Sequence, residues 1–197
     1  MTRTEIIQKL ITKVSANSYL EIGMGPGINF NKVVCNKKIS VDPKPTVPVT
    51  FSLTSDDFFK QNKDKFDIIF IDGLHWSEQV YKDIINSLEV LNYNGYIICH
   101  DMNPHSEFIQ RYPQPKKESE WTGDCWKAWV KLRTERDDLN MYVVNTDYGC
   151  GIITRGKQDK LIVNDELTWE LLNSDRIKLL NLISVDKFNK DILWDFI

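Results

Sequence analysis

Four groups of residues in this 197-residue chain have the types and spacing to do chemistry. They are the run Glu21-Ile22-Gly23-Met24-Gly25-Pro26-Gly27, the acid Asp42, the segment Asp72-Gly73-Leu74-His75, and the pair His100-Asp101. Gly23, Gly25 and Gly27 follow an apolar run and precede a helical pattern near Asn29. Such a turn lets a ligand approach the backbone closely, and the helix start offers free N–H groups to it. A dinucleotide fingerprint would place a glycine at 28, where this chain has Ile28. Asp42 ends the strand-like run Lys38-Ile39-Ser40-Val41, where a carboxylate can accept both ribose hydroxyls of an adenosine. The bland alternative is an acid that only begins the Asp42-Pro43 turn. Ser55 and Asp56 could reach an adenine edge, or serve as a helix cap and a first-turn acid.

Asp72 and Asp101 each follow an apolar run that reads as a strand. Neighbouring strands lie about 4.8 Å apart, and two carboxylates so close repel unless a cation or a shared proton intervenes. A divalent cation with oxygen ligands, Mg²⁺ or Mn²⁺, satisfies both acids. Only one of His100 and Asp101 enters the same site if the strand continues through them, because successive side chains alternate faces. His75 lies three residues past Asp72, where the chain turns into a helix. A helix start disfavours positive charge, so the imidazole is expected to be neutral and able to act as a general base. A purely structural histidine is the competing reading, in a chain with only three.

The elements that position these residues alternate. Residues 4–14 carry an amphipathic helical pattern; strand-like runs recur at 18–22, 38–42, 47–52, 66–71 and 95–100, with helical patterns at 29–35, 55–64 and 77–91. Alternation of this kind implies a mostly parallel sheet with helices on both faces. Thr54-Ser55-Asp56-Asp57 reads as a helix start, and Asn94-Gly95 as a turn before the fifth strand. Residues 102–121 are polar, hold three prolines and lack periodicity, as a functional or disordered loop does. Residues 124–136 resume a helix whose Trp126 and Trp129 read as core. Thr146-Asp147-Tyr148-Gly149 reads as a hairpin turn between two closing strands, and 166–197 as one or two amphipathic helices.

Composition limits the partners. A net charge of −3, with 42% hydrophobic and 27% charged residues, suits one soluble globular domain and argues against a nucleic-acid surface. The pairs Lys37-Lys38 and Lys116-Lys117 read as solvated faces. No run approaches a membrane span or the apolar core of a signal peptide. Cys35, Cys99, Cys125 and Cys150 form no paired motif and read as free thiols of a reducing compartment, so a cytoplasmic location is expected.

The acid two places before the first glycine resembles the first motif of S-adenosylmethionine (SAM) methyltransferases. Further on, Phe70-Ile71-Asp72-Gly73-Leu74-His75, Gln79-Val80, Asp83-Ile84, Leu88, Leu91, Gly95 and His100-Asp101 resemble class I SAM methyltransferases that include O-methyltransferases of antibiotic sugars and surface glycans. The resemblance spans roughly 17–155. It implies a Rossmann-like, seven-stranded, mostly parallel sheet with an antiparallel last strand, in a single domain over 1–197. Residues 102–121 would be a substrate lid, where Tyr112 and Trp121 could stack on a sugar or Trp121 simply be core, and 166–197 a helical tail. SAM would be bound by Glu21, Gly23, Gly25, Gly27, Asp42, Ser55, Asp56 and Asp72. A divalent cation would be held by Asp72, His100 and Asp101, with His75 as base and Asp72 also catalytic. His100 is a departure, since the macrolide-sugar members have an acid there. The implied acceptor is a sugar or glycan hydroxyl, on an enzyme acting as a homo-oligomer or alongside glycosyltransferases. Three rivals stand beside this: a catechol-type O-methyltransferase, a nicotinamide-dependent enzyme, and a non-catalytic SAM-fold module of a glycan-synthesis assembly.

Overall fold

The computed structural model describes residues 1–116 and 120–194. Lys117, the 117–119 part of the expected lid and the last three residues of the expected tail lie outside the described residues. Helix α1 (Arg3–Lys13) starts from a capping box, in which Thr2 and Glu5 bond reciprocally. It buries Ile6, Ile7, Leu10 and Ile11. Then follow β1 (Ser18–Ile22), α2 (Ile28–Lys32), β2 (Lys37–Val41), α3 (Ser55–Gln61), β3 (Phe66–Ile71), α4 (Ser77–Val90) and β4 (Leu91–Cys99). After the long loop come α5 (Cys125–Glu135), β5 (Leu139–Val144), β6 (Cys150–Arg155), α6 (Trp169–Ser174), α7 (Arg176–Leu180), β7 (Leu182–Ile183) and α8 (Val185–Trp194).

One seven-stranded sheet results, in the order β2-β1-β3-β4-β6-β5-β7. β6 runs antiparallel to both its neighbours, while the other pairings are parallel. Period-two alternation divides the strand residues between two cores. Leu20, Ile22, Ile69, Ile71, Ile97 and Cys99 pack against α3, α4 and α5; Tyr19, Ile68, Phe70 and Ile98 pack against α1 and α8. Helices therefore cover both faces, as the alternating pattern requires. Trp126 and Trp129 are fully buried, with indole N–H groups donating to Gln110 Oε1 (3.0 Å) and Leu180 O (3.1 Å).

The seventh strand arises differently from the one read at 47–52. There the structure forms a single parallel bridge, Val41 to Phe51. Pro43, Pro45 and Pro48 remove the donors a longer ladder needs. The missing edge is made up at the far side, where β7 from the tail pairs with β5. That tail holds three helices among its described residues, where one or two were expected. Asn94-Gly95 is not a turn but part of β4, at a shift in register against β3. A Cβ on Gly95 would lie 2.6 Å from Asp67 O, so only glycine fits that crossing.

Candidate active site

The strand order reverses between β2-β1 and β3-β4, and the carboxyl ends there open into a cleft of about 730 Å³. The ladder continues one residue past each strand. Gly23 N–H donates to Val41 O (2.8 Å), Asp72 N–H to Ile22 O (2.8 Å) and His100 N–H to Ile71 O (3.0 Å). The three chain ends are thus held in a row. Gly23 is indispensable to it: at φ +84° a Cβ would meet Asp72 O at 2.2 Å. Gly25, at φ +52°, faces open space in the cleft, as a cradle for a ligand requires.

At one end of the cleft Asp42 clasps the glycine turn. Its Oδ2 accepts from Gly25 N–H (2.8 Å) and its Oδ1 from Lys44 N–H (2.8 Å), which leaves one lone pair on each oxygen for a ligand. Ser55 and Asp56 also line this end. Thr54, not Ser55, caps α3, accepting from Asp57 N–H. Ser55 and Asp56 are instead bridged by Gln79 Nε2 (3.3 and 3.0 Å), which also donates to the buried Asp83 (3.0 Å). Burial pushes the Asp83 carboxyl up to about 6.

Glu21 does not line the cleft. Its side chain turns to the α1 face, where it accepts from the Tyr19 hydroxyl and from Asn29 Nδ2 (2.9 Å). It ties β1 to the start of α2 and so supports the glycine turn from below. Burial raises its carboxyl to about 7, against the lowering effect of those two donors. Folding therefore takes up a proton here. The stability linked to this group is fully present below about pH 4.5 and is lost as pH rises through 7. The shift corresponds to a cost on the order of 3 kcal/mol at alkaline pH. Glu21→Gln is accordingly expected to raise the melting temperature at pH 9 but not at pH 5. A difference independent of pH would contradict this account of the site.

At the other end Asp72, His75, His100 and Asp101 converge. β4 has already ended at Cys99, and Asp101 adopts φ +66°. This reversal lets both His100 and Asp101 face the site, contrary to the strict alternation expected of a continuing strand. Ligand atoms of Asp72, His75 and Asp101 all lie within 4.8 Å of one another. His75 Nδ1 lies 3.1 Å from Trp121 O and 3.3 Å from Asp101 Oδ2. Both oxygens only accept, so Nδ1 carries a proton in either charge state, and Nε2, 3.4 Å from Asp72 Oδ1, is the nitrogen that can lose its proton. His100 is turned the other way. Its Nε2 meets Asp147 Oδ1 (3.3 Å), which requires the proton there. Its Nδ1 is buried without a hydrogen-bond partner, off-line at 2.9 Å from Asp101 Oδ1 and 3.4 Å from Asp72 Oδ1.

The electrostatics run against the downward pKa shift that a helix start would give His75. Burial would lower the His75 pKa, but the carboxylates of Asp72 and Asp101 outweigh it and raise the value. The effect of a helix start is overridden by two full charges in contact. Burial of His100 is likewise outweighed by Asp72 and Asp101, and its pKa lies well above the ordinary value. Asp72 would be pushed up by burial, yet His100 and then His75 hold it well below the usual carboxylate range. Three carboxylates, Asp72, Asp101 and Asp147, thus face three groups able to carry positive charge, Arg3, His75 and His100.

Sequence reasoning missed Arg3 and Asp147. Arg3 Nη1 binds Asp72 Oδ2 (2.8 Å), while its Nη2 and Nε grip both oxygens of Asp147 (2.9 and 3.1 Å). The signal for Asp147 was its hairpin turn, whose strand β6 pairs with β4 beside Cys99. Arg3 gave no local signal; only the docking of α1 on the sheet brings it in. Of the expected lid, Glu120 and Trp121 line the cleft, with the Trp121 ring 4.9 Å from that of His75. Tyr112 does not; it stacks between Trp121 (6.2 Å) and Trp76 (5.6 Å).

Comparisons with known proteins agree with this architecture. Residues 37–102, about a third of the chain, match a family model described as a methyltransferase domain. No curated protein matches the chain by sequence. A methyltransferase of Podospora anserina with S-adenosylhomocysteine bound superposes with TM-score 0.60 at 15% identity, covering 79% of this chain and 78% of that one. The O-methyltransferase TomG of Streptomyces achromogenes, involved in tomaymycin synthesis and bound to SAM, gives 0.59 at 10% identity, covering 78% and 80%. A Bacillus cereus O-methyltransferase in complex with S-adenosylhomocysteine gives 0.57 at 14% identity, covering 77% and 79%. This chain therefore has the Rossmann-like fold of the O-methyltransferases.

Proposed function

We propose that the protein is a SAM-dependent O-methyltransferase acting on a hydroxyl of a sugar or glycan. One observation carries the reading. A single cleft runs from the Gly23–Gly25 turn and Asp42 to the cluster of Asp72, His75 and Asp101. Adenosine at the first end, with Asp42 on its ribose and Ser55 and Asp56 towards its base, leaves the methyl group directed at the second. The SAM and S-adenosylhomocysteine held by proteins of this fold support the choice of cofactor.

The donor set fits a hard divalent cation. Asp72 and Asp101 supply carboxylate oxygens, and the buried, unpartnered Nδ1 of His100 lies 3.4 and 2.9 Å from them. These three residues would hold Mg²⁺ or Mn²⁺, which supplies acidity to a bound hydroxyl and orientation to a vicinal diol. In its neutral form His75 offers Nε2 to the hydroxyl proton as the methyl moves, while Trp121 O fixes its ring by binding Nδ1–H. Trp121 offers an indole face beside His75 for a sugar ring, and with Glu120 forms the part of the expected lid that excludes water. Methyl transfer from a sulfonium is an in-line displacement, so positioning of this kind accounts for much of the rate gain.

Labelled SAM incubated with a panel of sugars and catechols tests the acceptor class. Label recovered as a sugar methyl ether is the expected result. Label transferred only to catechols would replace the sugar reading with the catechol-type one.

A further inference from the structure

Asp147 stands one layer behind the cluster and Arg3 lines the cleft beside Asp72, and their contacts account for the orientation of His100. An imidazole that donates from Nε2 keeps its lone pair on Nδ1, and a carboxylate at one nitrogen is the usual means of setting a ligand at the other. Asp147 Oδ1 lies 3.3 Å from His100 Nε2 and can only accept. Asp147 is itself fixed from three sides by Arg3: its Oδ2 accepts from Arg3 N–H (2.8 Å) and Nε (3.1 Å), and its Oδ1 from Nη2 (2.9 Å). The remaining nitrogen, Nη1, holds Asp72 Oδ2 (2.8 Å), which leaves Asp72 Oδ1 facing the two imidazoles. The turn bearing Asp147 is held in the left-handed region at Asp147 (φ +47°) and Tyr148 (φ +59°). Its Tyr148 and Gly149 carbonyls bind Asn103 N–H (2.7 Å) and Met102 N–H (3.0 Å), just past Asp101.

We propose that Asp147, gripped by Arg3, is a positioning residue that sets His100 as the Nε2–H tautomer and aims Nδ1 at the point shared by Asp72 and Asp101. The first turn of α1 and the β5–β6 turn are thereby part of the active-site machinery, although neither contacts the reacting atoms. The inference rests on the cation reading of the proposed function.

Mn²⁺ binding to the EDTA-stripped 197-residue protein tests it, followed by the paramagnetic signal of free Mn²⁺, with SAM calorimetry on the same samples. Asp147→Ala is expected to weaken Mn²⁺ binding by about 10–100-fold with SAM affinity unchanged. Asp147→Asn, whose carbonyl still accepts from His100 Nε2–H, should retain most of the affinity. Arg3→Gln should show a smaller loss in the same direction. Should Asp147→Ala not fold, Asp147→Ser, too short to reach His100, carries the same expectation. Wild-type Mn²⁺ affinity in Asp147→Ala or Asp147→Ser together with Arg3→Gln would overturn the proposal, as would a wild-type protein that binds SAM but no Mn²⁺. A wild type that binds Mn²⁺ but no SAM would instead overturn the methyltransferase reading and leave the positioning result standing.

Discussion

His75→Ala is expected to lose about 10²–10⁴-fold in kcat, the usual cost of removing a general base. SAM affinity should stay close to that of the wild type, and the variant should remain folded. The expectation follows from the ring's bonding. Nδ1–H is committed to Trp121 O, so Nε2, 3.4 Å from Asp72 Oδ1, is the nitrogen that can give up its proton and act as base. The base must be deprotonated to act, so the wild-type rate should rise with pH. Contact with Asp72 and Asp101 raises the His75 pKa, which moves that rise towards higher pH. In His75→Ala the limb should flatten. Near-normal kcat in the variant would reassign His75 to structure, and loss of folded protein in step with activity would do the same.

Removing the cation is expected to abolish turnover while leaving SAM affinity nearly intact, because Asp42 and the glycine turn lie at the other end of the cleft. Asp72→Ala should reproduce the loss of turnover and add a loss of stability. Its carboxylate is the common partner of Arg3, His75 and His100, so deletion leaves buried positive groups uncompensated. Breaking such a partly buried pair costs about 3 kcal/mol, visible as a lower melting temperature. The two arms separate the roles of the residue: chelation reports on the cation alone, and the variant on cation and charge network together. Full activity in excess EDTA would remove the cation from the mechanism, with His75 still able to serve as base.

Much of this was legible in the chain because strand ends can be read from apolar runs. Glu21–Gly27, Asp42, Asp72 and His100-Asp101 each follow such a run, and a parallel sheet carries all those ends to one side. Pattern failed where tertiary contact decides. Glu21 has the spacing of a cofactor acid, yet Tyr19 and Asn29 draw it beneath the turn. The 47–52 run has strand composition, but Pro48 and the prolines just before the run limit it to one bridge, and the two-residue β7 that restores the count is too short to show period. Arg3 is 69 residues from Asp72 and 144 from Asp147, so no local spacing announces the clamp. The upward shift of the His75 pKa was not legible, because a helix start is visible in sequence whereas two carboxylates in contact are not.

Titration calorimetry of the wild-type protein with SAM, and separately with NADH, tests the central claim most directly. The cleft is expected to bind SAM and S-adenosylhomocysteine with a stoichiometry near one and to give no heat with NADH. Heat with NADH and none with SAM would contradict the account, since the glycine turn and Asp42 would then serve a nicotinamide cofactor.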